Sequence, residues 1–581
     1  MLADLRRLGP YLFRYRWRYA GGLAALLFRG VLAAGVPLLI GRAVDLLAAG
    51  QRAAALDAVW MLLGVAACKG VAQYAMRWIL ITISRDIEFD LRNDLSAHLV
   101  TLDRRFYERY RTGDLMARVT NDLAQVRSLL GPGLMYSAEI GVVTAAVFSI
   151  MAWTDWFLTL AILAPMPLIS VVVGYFGRRT HEQFQTVQQH FSSISVRVQE
   201  HLAGLRMLRA YSQGSSEVRR FAAANAGYVE ASLGLIRIWR TFYPLLELLV
   251  GLTGIGMLGF GGWRVLTGAM TVGTFTMFIY FLAMLAWPMI GMGVVVNITQ
   301  RGVASLGRLN ELFNHRPLIA DAPDVLRSYE YIRGPLMWQD VCVQYPNASE
   351  PAVRDVNLLV PEGESLAIIG PVGSGKSTIA SLVPRLYDPV QGAVSMEGID
   401  IRRLPLGMLR AQVGYVPQET FLFSRTIAEN IRLGRPQASA AEIRAAAELA
   451  LLNTDGDAFP DGLDTLVGER GITLSGGQKQ RVALARALVC DPSFAVLDDA
   501  TSSLDAETEH ALLARIRQAS SNRTLLIVTH RVAAARLADR IVVMDAGRVV
   551  DVGSHEELLA RGGLYARIHE RQRIEEELAK P

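Results

Sequence analysis

Two stretches of this 581-residue sequence hold residue types that could do chemistry on phosphates. Residues 494–505 read FAVLDDATSSLD, four apolar residues running into two adjacent aspartates. Asp498, at a strand end, suits the metal side of a site, and Asp499 reads as a catalytic base with an unusually short arm. Residues 365–383, SLAIIGPVGSGKSTIASLV, give a β-run, Gly370, four residues, then Gly375, Lys376 and Ser377 opening a helix. In such a P-loop pattern glycines let backbone N–H groups approach phosphate oxygens, and the helix N-terminus favours the anion. Lys376 then reaches the β/γ-phosphates and Ser377 faces Mg²⁺. The whole cradle is Gly370, Pro371, Val372, Gly373, Ser374, Gly375, Lys376, Ser377 and Thr378. Only four of the 59 basic residues are Lys (Lys69, Lys376, Lys479, Lys580), so a compact ammonium at 376 stands out in an Arg-biased chain.

A third stretch, LSGGQKQRVALARAL at 474–488, places Ser475, Gly476, Gly477 and Gln478 at another helix N-terminus. It offers amides and a hydroxyl to a second face of a nucleotide. One P-loop domain cannot fold both ends around one ATP, so two such domains would close head-to-tail.

The elements that position these residues begin near 334, where β-rich runs, Gly turns and polar helices mark a soluble α/β domain over 334–575, with a tail at 576–581. Before it, 308–333, with Pro317 and Pro323, reads as a linker. Residues 1–307 differ in kind. Apolar stretches at 19–48, 54–81, 133–153, 157–176, 241–262 and 271–297 are each long enough to cross about 30 Å of hydrocarbon. Short turns join them in pairs, while 82–132 and 177–240 are polar, Arg-rich and helically patterned, as for membrane helices continued into the cytosol. The positive-inside bias puts these segments and both termini in the cytoplasm; a multi-pass location in the cell inner membrane with the α/β domain cytoplasmic is the expectation. A helical break is expected at RYRTGDLMARVTND (109–122), with a second near YSQGSSEV (211–218).

A hydrophobic content of 51% and a mean hydropathy of +0.27 agree with a lipid bilayer as partner. The net charge of +5 is spread along the chain, so basic cytoplasmic loops explain it without nucleic acid. Cys68, Cys342 and Cys490 lie far apart and indicate neither a disulfide framework nor a zinc site. The start, MLADLRRLGPYLFRYRWRY, reads as an interfacial helix with Arg14, Arg16 and Arg18 at the headgroups rather than as a leader peptide.

With LSGGQ, RTGDLMARVTND, TLVGERG (465–471) and the six apolar stretches in place, nearly the whole chain resembles an ABC exporter half-transporter. That resemblance implies a type IV exporter fold: a membrane α-helical bundle of six transmembrane helices with long cytoplasmic extensions, fused to a P-loop α/β ABC ATPase domain. It implies ATP and Mg²⁺ as cofactors. Tyr345 in VQYPN would stack on adenine, Gln418 in YVPQETFLF would sense the γ-phosphate and Mg²⁺, and Asp498 would end the Walker B strand. Asp505 in SSLD would form the D-loop, and His530 in LLIVTH would be the switch histidine. Glu469 would sit near the partner's coupling helix. Singly, Tyr345 reads equally as a turn aromatic, Gln418 as solvated and His530 as a strand-end residue. Their order and spacing favour the site.

The family normally carries Glu after the Walker B Asp. Asp499 is one methylene shorter, which withdraws the carboxylate by about 1.5 Å, and a misplacement of ~1 Å can cost on the order of 10²-fold in rate. The resemblance is to the degenerate-site subunit of heterodimeric multidrug-type exporters, which implies a second half-transporter bearing Glu. An ordinary homodimer in which Asp499 still reaches water is the alternative. The function expected is ATP-driven export of lipophilic small molecules, lipids or peptides; an importer on the same fold and a non-transporting regulator or gated channel stay open. Candidate pathway residues are Arg29, Lys69, Arg77, Glu139 and Glu247, with Met284, Trp287 and Met292. Arg77, Glu139 and Glu247 read more readily as snorkelling near cytoplasmic ends.

Overall fold

The computed structural model describes residues 5–579 except 165, 347, 453–458, 460, 505 and 520–522. It forms two compact units: residues 1–99 with 113–314, and 100–112 with 315–581.

In the first unit the apolar stretches are helical: Arg16–Ala48, Arg52–Thr101, Leu134–Thr154, Trp156–Leu163 with Met166–Ala203, Gly214–Gly256, and Val272–Asn314. Among the described residues, four helical segments are long and apolar enough to cross a bilayer: Arg16–Ala48, Arg52–Thr101, Thr112–Thr154 and Gly214–Leu266. Val272–Leu285 is a shorter apolar stretch at the start of the last helix. Asp45, near the end of the first long helix, caps the start of the last. Its Oδ1 accepts from the Gly273 N–H at 2.6 Å, and its Oδ2 accepts from the Thr271 hydroxyl at 2.7 Å. Gly273 is required there, because a Cβ would lie 1.9 Å from the Gly41 carbonyl oxygen.

The first helical break differs from expectation. It falls at 102–111, around the short helix Arg104–Arg109, while Thr112–Asp122 is already helical. Asp103 sets the break by capping the short helix through the Phe106 N–H, whereas Gly113 sits inside the next helix. The second break holds the helix Leu205–Ala210, just before YSQGSSEV. The linker read at 308–333 begins inside the helix ending at Asn314, so the irregular connection starts at His315. The tail read at 576–581 is likewise helical as far as Ala579. The interfacial arginines divide: Arg14 pairs with Asp90 and Arg18 with Asp86, leaving Arg16 stacked over Phe13.

In the second unit the strands are β1 Leu336–Val343, β2 Val353–Val360, β3 Ser365–Ile369, β4 Gln391–Met396, β5 Ile399–Asp400, β6 Val413–Val416, β7 Phe494–Asp498, β8 Thr524–Val528, β9 Arg540–Asp545 and β10 Arg548–Gly553. An antiparallel sheet has the order β2-β1-β4-β5; a larger one has the order β10-β9-β3-β8-β7-β6, parallel except for β10 against β9. β3, β7 and β8 are buried throughout, which explains their unbroken apolar runs. The parallel register (Ile368 beside Val528, Val528 beside Asp498, Val416 beside Leu497) brings the carboxyl ends of β3, β8, β7 and β6 to one edge of the sheet. Loops leaving that edge form the crevice where open α/β sheets bind ligands.

Candidate nucleotide-binding site

Each loop leaving this edge carries residues singled out by sequence. β3 runs into Gly370–Gly375 and the helix Lys376–Leu382. Gly375 takes the left-handed φ of +93°, and a Cβ there would lie 2.6 Å from the Ala352 carbonyl oxygen, so the turn requires glycine. Val372 and Pro371 are exposed on the loop, while Ser374 and Thr378 are buried. The Lys376 ammonium folds back over the loop, donating to the carbonyls of Gly370 (2.8 Å) and Pro371 (2.7 Å). Burial pushes its pKa down, against the pull of the Asp499 and Asp498 carboxylates. A desolvated cation beside a glycine-rich loop that opens a helix suits a polyanionic phosphate chain.

Asp498, 3% exposed at the end of β7, accepts from the Ser377 hydroxyl at 2.7 Å. Burial raises its pKa; the Ser377 hydrogen bond opposes the shift and the Asp499 charge adds to it. A carboxylate and a hydroxyl are hard oxygen donors of the kind Mg²⁺ takes when phosphates and water complete its shell. Both donors are oxygens, so the pair fits Mg²⁺ better than a softer ion.

Asp499 occupies the left-handed region at φ +50°, which Asp tolerates better than most residues. Its N–H donates to the Val528 carbonyl at 2.9 Å, and its Oδ1 lies 2.9 Å from Nδ1 of His530, just past β8. The His530 side chain is 53% exposed, open to whatever enters the crevice. Gln418 follows β6 with its side chain exposed. The Tyr345 hydroxyl meets Thr378 Oγ1 at 3.0 Å, and its ring packs edge-on against Tyr387, 5.3 Å between centroids. Asp505 lies outside the described residues.

Ser475–Gln478 forms a separate group. Ser475 and Gln478 make a reciprocal capping box on the helix Gly476–Leu488, with the Gln478 N–H donating to Ser475 Oγ and the Ser475 N–H donating to Gln478 Oε1. Among the described residues no hydrogen bond joins this group to 370–378. Gln480 links it to the loop after β7, donating to Ser502 Oγ and accepting from the Ser503 N–H, both at 3.0 Å. The chain therefore presents one face carrying residues 370–378, Asp498, Asp499 and His530, and a distinct capped helix N-terminus.

Several supporting residues escaped the sequence reading. Glu509, 2% exposed, accepts from Thr501 (2.6 Å) and Arg531 (2.8 Å) and so ties the loop after β7 to that after β8. Arg531 follows His530 directly, a positional hint; Glu509 looks like any acid in a helical first turn. Phe106, in the short helix Arg104–Arg109, is buried against Tyr110 and His315 at centroid distances of 4.6 and 5.1 Å. The buried Tyr387 hydroxyl donates to Glu108 of the same helix.

In the membrane unit Arg29 and Glu139 form an ion pair at 2.7 Å, with side chains 13% and 14% exposed. The snorkelling expected of Glu139 gives way to this interhelical pairing. Arg77 and Glu247 are exposed and Lys69 half-buried; Trp287 and Met292 are exposed and Met284 half-buried.

Compared with known proteins, residues 20–289 match the ABC transporter transmembrane region and residues 353–502 match the ABC transporter family model. The chain is 36% identical over 579 residues to a probable multidrug resistance ABC transporter ATP-binding/permease protein of Bacillus subtilis, covering 99% of this chain and 98% of the relative. It is 35% identical over 567 residues to a multidrug resistance-like ATP-binding protein of Escherichia coli (97% and 96%), and 32% identical over 510 residues to an ATP-dependent lipid A-core flippase of Chromohalobacter salexigens (88% of each). The structure of a bacterial Atm1-family ABC exporter with ATP bound aligns with a TM-score of 0.78 at 29% identity, covering 96% of this chain and 98% of that one.

Proposed function

Because this chain belongs to the ABC transporter family, with the transmembrane and ATPase regions fused in one polypeptide of exporter fold, we propose that it drives ATP-dependent export of lipophilic or amphipathic substrates as one half of a heterodimer. Likeness to relatives named for multidrug resistance and lipid A-core flipping supports that substrate class. In this reading residues 370–378 hold the phosphates of ATP, Tyr345 stacks on adenine, and Ser377, Asp498 and Gln418 surround Mg²⁺, with the ATPase region cytoplasmic at the inner membrane. Bound Mg²⁺ would neutralise charge on the phosphates; this chain's residues orient them and place the base.

The observation that carries the heterodimer is Asp499. Its short carboxylate is already engaged by His530 at 2.9 Å, where a Glu would extend about 1.5 Å further. A base so withdrawn binds MgATP but hydrolyses it slowly. Ser475, Gly476 and Gly477, well ordered by their capping box, would complete the partner's site, where a Glu does the chemistry.

The test is ATP turnover by the purified chain in nanodiscs, alone and with a Glu-bearing second half-transporter. Slow turnover alone and fast turnover in the pair is the expected result. Fast turnover by a homodimer overturns the degenerate-site reading. Vesicle uptake of one labelled lipophile, followed in both directions with and without ATP, tests export against import.

A further inference from the structure

The loop carrying His530 is gripped by a residue some forty positions downstream. Gln572, on the C-terminal helix Leu564–Ala579, donates from Nε2 to the His530 carbonyl at 2.6 Å and accepts at Oε1 from the Val532 N–H at 2.8 Å. One side-chain amide thus satisfies a backbone acceptor and donor flanking Arg531, as a strand partner would. Other contacts fix the same loop from inside. The Thr529 N–H donates to the Ile368 carbonyl at 3.1 Å, and the Arg531 guanidinium reaches Glu509 and the Leu504 carbonyl. The helix is anchored at its base by Tyr565, 1% exposed, which packs with Ile541, Val543 and Leu558 and meets His555 Nδ1 at 2.7 Å. Beyond Gln572, Ile574 and Leu578 are exposed.

Nothing in the strand order demands this clasp. β8 and β9 are positioned by their pairing with β3, so the loop between them could close without Gln572. The clasp instead fixes the peptide from which the His530 side chain projects, and with it the 2.9 Å contact to Asp499. We propose that Gln572 is a positioning residue for ATP hydrolysis, holding the His530 loop so that the imidazole stays aligned with the residue-499 carboxylate. This rests on the reading of residue 499 and His530 as the hydrolytic pair.

The experiment uses the full chain in nanodiscs, in whichever of wild type and Asp499→Glu turns ATP over faster, so a failure of the degenerate-site reading leaves the test intact. Gln572→Leu removes both hydrogen bonds; Gln572→Glu keeps the acceptor for Val532 and guards against a Leu variant that folds poorly. The expected result is a fall in kcat of about 10-fold or more for Gln572→Leu and a smaller fall for Gln572→Glu, with KM for ATP and the unfolding midpoint unchanged. In a His530→Ala background the Gln572 substitutions lower kcat no further, because the two residues act as one unit. An unchanged kcat, a loss that persists at full size without His530, or a loss explained by a shifted KM or midpoint overturns the proposal.

Discussion

Asp499 Oδ1 and His530 Nδ1 lie 2.9 Å apart across the ends of two adjacent parallel strands. Left-handed backbone at 499 and its N–H bond to Val528 turn the carboxylate toward the imidazole. On the proposed reading, side-chain length at 499 decides whether that carboxylate only steadies His530 or would also reach an attacking water.

A graded series follows. Asp499→Asn keeps a hydrogen-bonding oxygen for His530 but removes the base; Asp499→Glu restores about 1.5 Å of reach at a small cost for a longer side chain at positive φ. Single-turnover hydrolysis should rank Asn below Asp below Glu, with Glu faster than Asp by about 10- to 100-fold and ATP affinity level across the series. A Glu variant no faster than wild type would falsify the short-arm account.

Burial of Asp498 predicts a pH dependence. Its carboxyl holds a proton to higher pH than an ordinary Asp, near 4, so the folded, nucleotide-free state binds more protons than the unfolded chain. That contribution to stability is present at low pH and is lost as pH rises through the raised value. Above the raised value the buried Asp498 carboxylate is therefore a cost. Asp498→Asn should raise the unfolding midpoint of the nucleotide-free protein at pH 7 and leave it unchanged well below pH 4. In wild type, Mg²⁺-dependent nucleotide binding should begin to weaken on acidification above pH ~4. Calorimetric scans and Mg²⁺ titrations at several pH values check both; a lower midpoint for Asp498→Asn at pH 7 would contradict the sign.

What was legible in the sequence is mostly what depends on near neighbours. The strand, loop and helix around Gly370–Ser377 announce themselves because the β-run, the glycines and the helix start fall within about a dozen residues, and the Ser475 capping box is readable from Ser-x-x-Gln alone. The helical break was misplaced because Gly113 is a strong local signal for a turn, whereas Asp103 and the buried Phe106 set the true one. Phe106 earns its burial from His315, more than 200 positions away. Arg29 with Glu139, and Gln572 with the backbone of the His530 loop, are likewise long-range pairings whose partners no local pattern announces.

The helix Arg104–Arg109 carries another prediction. It sits on the ATPase-bearing unit through Phe106 and the Glu108–Tyr387 hydrogen bond, and joins the long membrane-unit helix Arg52–Thr101 after two residues. Phe106→Ala empties a buried aromatic site, a change of about 3–5 kcal/mol in well-packed surroundings, without touching the phosphate loop. ATP binding should stay at the wild-type level while ATP-driven vesicle transport falls at least 10-fold and substrate no longer stimulates ATPase activity. Transport and ATPase activity falling together with ATP affinity would place Phe106 in the nucleotide site instead.

Arg29 stands 13 residues into the 33-residue helix Arg16–Ala48, about 28 Å from its far end at ~1.5 Å per residue, within reach of the hydrocarbon. Its NH1 meets Glu139 at 2.7 Å, and its Nε is buried without a partner. Each charge is tolerable there because of the other, so removing one strands its neighbour in apolar surroundings. Arg29→Leu or Glu139→Leu alone should destabilise the membrane unit by about 3–5 kcal/mol, while the double Leu variant recovers most of the loss. Denaturant unfolding of the reconstituted protein, monitored by fluorescence from the membrane-unit tryptophans, measures all three. Additive single losses would mean that the two side chains contribute independently; recovery in the double variant would show that the pair holds the two helices in register through mutual neutralisation.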